Sequence, residues 1–457
     1  MQRFQTRMSN LSSISPNGEK EEQFLENYFS YVSHCEHDKA KELAEKERDA
    51  HKALFGSSWG LFLMSLSQFA SAEKTYMSLG FLEQRGFFTR SKETLKSGYQ
   101  TLMYEFRRVE EAVKSTEEQS FGMSHNALEF EKLLAHLCDQ LCFFTQARQE
   151  TINFYEQVHI MGMTKHVNFE DLNMVIKEII AVHSKNFHHP ILAPLKTVFG
   201  FECDTLNLLL VAQTTMSDWM FLTALLHIHE AHTKLSSWGG LIQPKEIKKS
   251  TFGGSSKHGS PPALYQWLTK FKNLLLSKFS IYFYDILQKQ ASPPEMKSLI
   301  SKTPDDFVTR IQTFHKKADA CHVSLVLNTQ GLDRVFPEGY QYPGRLVETP
   351  QGLNTFPAIF SFPGERLSNH FPAVVMMLTE WRDREELIYA QDKIHYMYDK
   401  GSHSSYFYTQ VDTRTSLVVI FESKKSEKDS YVNNFMNDIA TQLRCTKFFT
   451  SLKPGSK

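Results

Sequence analysis

Along most of the first 318 positions, apolar residues recur at spacings of three and four. Phe24, Leu25, Tyr28, Phe29 and Val32 open this pattern, and the run KAKELAEKERDAHKAL follows. The spacing predicts one helix from Glu21 to Leu54, its second half charged and solvated. GSSWG, residues 56–60, interrupts it. A second helix is predicted from Trp59 to Leu79 through Leu63, Leu66, Phe69 and Ala70. Further helical patterns cover 90–116, 124–160, 169–184 and 203–235, each with a wide apolar stripe. Their short connectors predict antiparallel neighbours, hence a bundle. After Trp238 the stretch IQPKEIKKSTFGGSSKHGSPP is rich in Gly, Ser, Pro and Lys, and reads as a flexible surface loop over 239–262. Another helix is expected over Ala263–Lys289, with Leu264, Trp267, Phe271, Leu274, Leu275 and Phe279 on its apolar side. A shorter one is expected over Pro304–Lys317, capped by Thr303, with proline at its first position.

Beyond residue 318 the period changes. CHVSLVLN (321–328), FPAIFSF (356–362), HFPAVVMMLTEW (370–381), SSYFYTQV (404–411) and SLVVIFES (416–423) carry β-branched and aromatic residues between turn formers, and read as strands. VDTRTS joins the last two as a hairpin. A closing helix is predicted from Ser426 to Arg444, begun by Ser426 and Asp429, with Val432, Phe435, Met436, Ile439 and Leu443 as its buried stripe. The fold class is therefore α+β. A polar tail (1–20) precedes a long-helix bundle (21–318), which precedes a C-terminal α/β module (319–457) with a small antiparallel sheet.

Composition narrows the function. Hydrophobic content of 41% and charged content of 22% belong to an ordinary globular chain. The formal net charge is zero, which argues against nucleic-acid binding and weakens any polybasic membrane patch. Six cysteines in 457 residues are no disulfide scaffold, so the cytoplasm is the expected compartment. MQRFQTRMSNLSSISPNGEK has no apolar core to act as a secretory signal. The most apolar stretch, 206–226, holds Gln213, Thr214, Thr215, Ser217 and Asp218 near its middle, and reads as a long packed helix instead of a membrane span.

Five stretches invite a chemical reading. LLHIHEAHTKL (225–235) gathers His227, His229, Glu230 and His232. A zinc-hydrolase helix needs H-E-x-x-H, and this order is one residue short. Only His229 and His232 share a face, because residues two apart lie about 200° apart on a helix. Polar residues at the frayed end of an apolar helix account for them. GSSWG matches G-x-S-x-G, but a nucleophile elbow follows a buried strand, and a charged helix precedes Gly56. A helix start at Ser57 or Ser58 explains it. Cys138 and Cys142 lie four apart, the spacing of small apolar thiols in a core. GGSSKHGS (253–260) lacks the order of a phosphate-binding loop. In WRDREELIY (381–389), Asp383, Glu385 and Glu386 alternate with Arg382 and Arg384, the pattern of a solvated helix start. No residue is assigned a catalytic, cofactor-binding or metal-ligating role, and no cofactor is expected.

The running sequence is more specific than any motif. HVSLVLN, HFPAVVMMLTEWRDREELIYAQDKIHYMYDKG and SYFYTQVDTRTSLVVIFESKKSEKDSYVNNFMNDIATQLRCTKFF, following an aromatic-rich helical bundle, resemble the KICSTOR complex subunit 2 family across essentially the whole chain. The resemblance implies a roadblock- or longin-like C-terminal domain and a non-enzymatic scaffold. It implies assembly with kaptin, the FG-GAP-repeat subunit and the large seizure-threshold subunit. That assembly would recruit the GATOR GTPase-activating complex to the lysosomal membrane, so that loss of amino acids or glucose restrains mTOR signalling; a role in cilia is also implied. Two rival readings remain at this point. One is a longin-type trafficking adaptor. The other is a metal-dependent hydrolase built on His229/His232 with Cys138/Cys142.

Overall fold

The computed structural model describes residues 16–50, 57–82, 94–118, 125–164, 167–242, 260–292, 294–295, 306–332, 350–364, 368–382 and 393–452. The helices are α1 (Pro16–Ser33), α2 (His37–Ala50), α3 (Ser58–Met77), α4 (Leu95–Glu118), α5 (His125–Thr164), α6 (Phe169–His183), α7 (Ala193–Ser217), α8 (Phe221–Ile242), α9 (Ala263–Tyr282), α10 (Tyr284–Gln290) and α11 (Phe307–Ala318). Then come β1 (His322–Leu327), β2 (Ala358–Phe362), α12 (Phe371–Arg382), β3 (His395–Asp399), β4 (Ser404–Gln410), β5 (Thr415–Phe421), α13 (Ser430–Leu443) and α14 (Thr446–Thr450). Sequence neighbours pack on one another: α2 on α3, α3 on α4, α4 on α5, α7 on α8.

Three expected single helices are broken. The first stops at Ser33, where Cys35 takes a left-handed φ of 59°. Cys35 N–H reaches Val32 O and Glu36 N–H reaches Tyr31 O, the paired bonds of a Schellman stop. The helix expected over 203–235 begins at Ala193 and stops at Ser217 by the same device. Trp219 has φ 61°, its N–H bonds Met216 O, and Met220 N–H bonds Thr215 O. Glycine usually holds that position because a Cβ is crowded there. Here burial offsets the strain, for Trp219 is fully enclosed and stacks on Tyr282 at 5.0 Å. The third break falls at Phe283, between α9 and α10.

The sheet has the order β2-β1-β5-β4-β3 and every pairing is antiparallel. Four of the five expected strands are present. The stretch 370–381 is instead the helix α12. Val374 and Met377 are buried at helical spacing against Val418, Ile420, Tyr406 and Tyr408, so the docking surface overrides the β-branched composition. The edge strand β3 was not expected. α11 begins after Asp306, whose carboxylate accepts from Thr309 N–H, and the expected cap Thr303 lies outside the described residues. α13 begins four residues later than Ser426, with Asp429 accepting from the Tyr431 and Val432 amides.

β1 is buried along its whole length because both faces of the sheet are covered. Val323, Leu325, Leu417, Val419 and Phe407 belong to the large core cluster, which also takes in the bundle. The other face packs on α12. The chain then returns to the bundle. Phe448 of α14 stacks on Trp267 and Phe271 of α9, at 5.1 and 5.2 Å, and Phe449 packs on the same two rings and on Phe169. Among the described residues, no helix is long and apolar enough to cross a membrane.

Candidate interaction surface

The histidines of 227–232 lie in the middle of α8, which continues to Ile242, and so do not occupy a frayed end. His227 is half-buried, its Nδ1 2.7 Å from Thr223 O. His229 and His232 are exposed. Among the described residues, no group of three His, Cys, Asp or Glu side chains could hold a metal ion. Ser57 caps α3, its Oγ accepting from Gly60 N–H at 3.2 Å. Ser58 Oγ donates to Glu131 Oε2 at 2.6 Å, and the described element before both serines is the helix α2. Cys138 and Cys142 are buried, and burial pushes the Cys142 thiol up to about 11, with Arg107 opposing it. Such thiols are poor nucleophiles and poor metal ligands. Asp383, Arg384, Glu385 and Glu386 lie outside the described residues, as does the 239–262 loop apart from its two ends.

The densest polar cluster escaped the sequence reading. Arg148 of α5, fully enclosed, bonds Glu73 of α3 through Nε and Nη2, at 3.1 and 2.9 Å. Its Nη1 bonds Glu202 of α7 at 2.7 Å. Tyr99 Oη donates to Glu73 at 2.6 Å, while Tyr76 and Tyr155 donate to Glu202 at 2.5 and 3.0 Å. Each carboxylate oxygen is engaged. Burial, then the adjacent carboxylate, keeps all three phenols protonated. Two carboxylates at a distance from solvent could suggest acid–base work, yet each of their oxygens already accepts from Arg148 or a tyrosine. The cluster fastens α3, α4, α5 and α7 in one register. The signal available in the sequence was a lone arginine on an apolar stripe, Leu141–Arg148–Ile152–Tyr155.

An open concavity lies elsewhere. α11 and α13 run antiparallel, with Arg310 beside Asp438 and Gln442, and Phe314 beside Phe435 and Tyr431. Between them is a groove of about 480 Å³. Its floor is the Phe314–Phe435 stack, with centroids 3.7 Å apart. Thr309 and Thr313 form one rim, and Tyr431 and Asn434 the other. Tyr431 is 47% exposed, unusual for an aromatic stacked on a core ring. Asp438 closes one end, held low by Lys447 and Arg310 although burial opposes them.

The family model described as KICSTOR complex C12orf66 like matches residues 15–457. The chain belongs to that family. The KICSTOR subunit 2 of Xenopus laevis is 40% identical over 443 residues, 96% of this chain and 97% of that protein. The KICSTOR subunit 2 of Danio rerio is 40% identical over 445 residues, with the same coverage. The similarity to KICSTOR subunit 2 thus runs through bundle, sheet and C-terminal helices alike, and the α11–α13 groove lies within the matched span.

Proposed function

We propose that this chain is a non-catalytic scaffold subunit of a KICSTOR complex. It assembles with kaptin, the FG-GAP-repeat subunit and the large seizure-threshold subunit. Through them it helps bring the GATOR GTPase-activating complex to the lysosomal surface, so that shortage of amino acids or glucose restrains mTOR signalling. Its attachment to the membrane is peripheral and indirect. The observation that carries the reading is the 40% identity to KICSTOR subunit 2 across nearly the full length of both chains. The saturated Arg148 cluster and the high thiol pKa values accord with it, because a scaffold needs rigid shape and no activated group. In the same reading, residues 21–318 and 319–457 are two structural modules sharing one junction. Affinity purification of the tagged full-length chain, read by mass spectrometry, tests the assignment. Recovery of kaptin and the seizure-threshold subunit in near-equal amounts is expected. Recovery of coat or tethering components without any of them would overturn it.

A further inference from the structure

The groove between α11 and α13 combines a stacked aromatic floor with an uneven distribution of charge. Its acids are already committed. Asp306 accepts from Thr309 N–H and Oγ1, Asp429 from two backbone amides, and Asp438 from Arg310, Lys447 and Gln442. The lysines just beyond its lining are not. Lys316 and Lys317 continue the Thr309–Thr313 and Arg310–Phe314 lines of α11 by one turn. Lys428 lies three residues before Tyr431, in the turn leading into α13. That turn abuts the end of α11, since Lys425 Nζ donates to Ala318 O at 3.4 Å. Lys316, Lys317 and Lys428 are exposed and have no ion pair among the described residues. Among the described residues, Asp319 and Glu427 are the acids beside them in sequence whose side chains hold no cap or ion pair, two carboxylates against three lysines. The groove therefore ends in a surplus of uncommitted positive charge, on a chain whose overall charge is zero.

We infer that the α11–α13 groove is a docking site for an acidic amphipathic helix of a partner protein. An apolar residue of that helix lies on Phe435 and Tyr431. Carboxylates one turn away meet Lys316, Lys317 and Lys428. A third helix laid between two antiparallel ones contacts them every three to four residues, which matches the spacing of Arg310, Thr313/Phe314 and Lys317 on one wall and Tyr431, Asn434/Phe435 and Asp438 on the other. Thr309, Thr313 and Asn434 on the rims supply hydrogen-bonding capacity without closing the gap. This proposal rests on the scaffold reading, since it names the surface that a partner subunit would occupy.

The test uses the purified full-length chain and a fluorescent amphipathic peptide of roughly 16 residues, with Leu and Phe at i, i+3 and i+7 and Glu on its flanks. A second peptide carries Lys in place of each Glu. Fluorescence anisotropy should show saturable binding of the acidic peptide only. A K316E/K317E/K428E variant should weaken it at least ~10-fold, as like-charge juxtaposition across an interface does, and Tyr431→Ala should weaken it in the same sense. Circular dichroism melts confirm that these surface variants are folded. Equal binding of both peptides, or no change in either variant, overturns the proposal. So does a dimer in light scattering that Tyr431→Ala dissolves, because a second copy then fills the groove. So does loss of sedimentation with anionic vesicles in the triple variant, because a lipid surface is then the ligand. Co-purification of kaptin with the wild-type chain, scored in parallel, shows whether the scaffold reading fails independently.

Discussion

Gly162 of α5 lies directly against the backbone of Phe449 in α14: a Cβ at residue 162 would fall 2.8 Å from the Phe449 carbonyl carbon and 2.8 Å from Thr450 N. Neither neighbour is the free end of a side chain. The C-terminal helix can seat its two phenylalanines against α9 only because α5 presents no side chain here.

Gly162→Ala should therefore destabilise the chain by about 1–3 kcal/mol, the cost of overpacking. Gly200, inside α7 with nothing within 4 Å of its would-be Cβ, is the matched control. Gly200→Ala should stabilise by about 0.5–1 kcal/mol through helix propensity. Urea unfolding of both variants checks the pair. Equal effects of the two substitutions would refute the close approach.

Phe449→Ala should cost about 3–5 kcal/mol, because the ring is fully enclosed between Trp267, Phe271 and Phe169. The same substitution should unfold helices and sheet together, since the ring belongs to their shared core. Far-ultraviolet and tryptophan-fluorescence melts that coincide support this. A variant whose sheet melts alone, leaving the bundle intact, would count against it.

Arg148→Met leaves Glu73 and Glu202 buried without a cation and should cost about 3–5 kcal/mol. Adding Glu73→Gln and Glu202→Gln should recover part of that loss, since no uncompensated charge then remains. A triple variant less stable than Arg148→Met alone would mean that the carboxylates contribute by some route other than their pairing with Arg148.

Acid should loosen the fold through buried histidines. Burial holds His37, His189 and His322 down at about 4, helped for His322 by His315 and His370 and for His189 by His136. Their folded pKa lies below the unfolded value of about 6.5. Between roughly pH 6.5 and 4 the unfolded chain binds protons that the folded chain does not. Stability should thus be level above pH 6.5 and fall as pH drops through that window. His322→Gln should flatten the slope of the urea midpoint against pH; an unchanged slope would remove His322 from the account.

Metal plays no part in the proposed role. Prolonged dialysis against EDTA should leave the thermal midpoint unmoved, and His229→Ala/His232→Ala should do the same, since both side chains are exposed. Stoichiometric zinc in the purified protein, lost in that double variant, would revive the hydrolase reading.

Helical spacing located the long helices of the bundle because it records which face is buried, and β-branched and aromatic runs between turn formers located four strands, two of which are buried along nearly their whole length. The interruptions at Cys35 and Trp219 were hidden for a local reason. Each takes the left-handed stop that glycine normally marks, and only the packing of the finished fold makes that tolerable. α12 was misread as a strand because Val374 and Val375 favour sheet, whereas its fate is set by docking on Val418 and Ile420. Glu73, Arg148 and Glu202 are brought together by helix packing over distances that no short motif spans. Phe314 and Tyr431, which shape the groove, sit 117 positions apart and face each other only once α11 and α13 lie side by side.

Trp267 is held from both directions, by Tyr155 of α5 and by Phe448 of α14. Phe448 meets the indole face to face and Tyr155 meets it edge-on, so one side chain of α9 joins the chain's last helix to its longest. The last helix of the chain thereby braces α5, 40 residues long, at its C-terminal end.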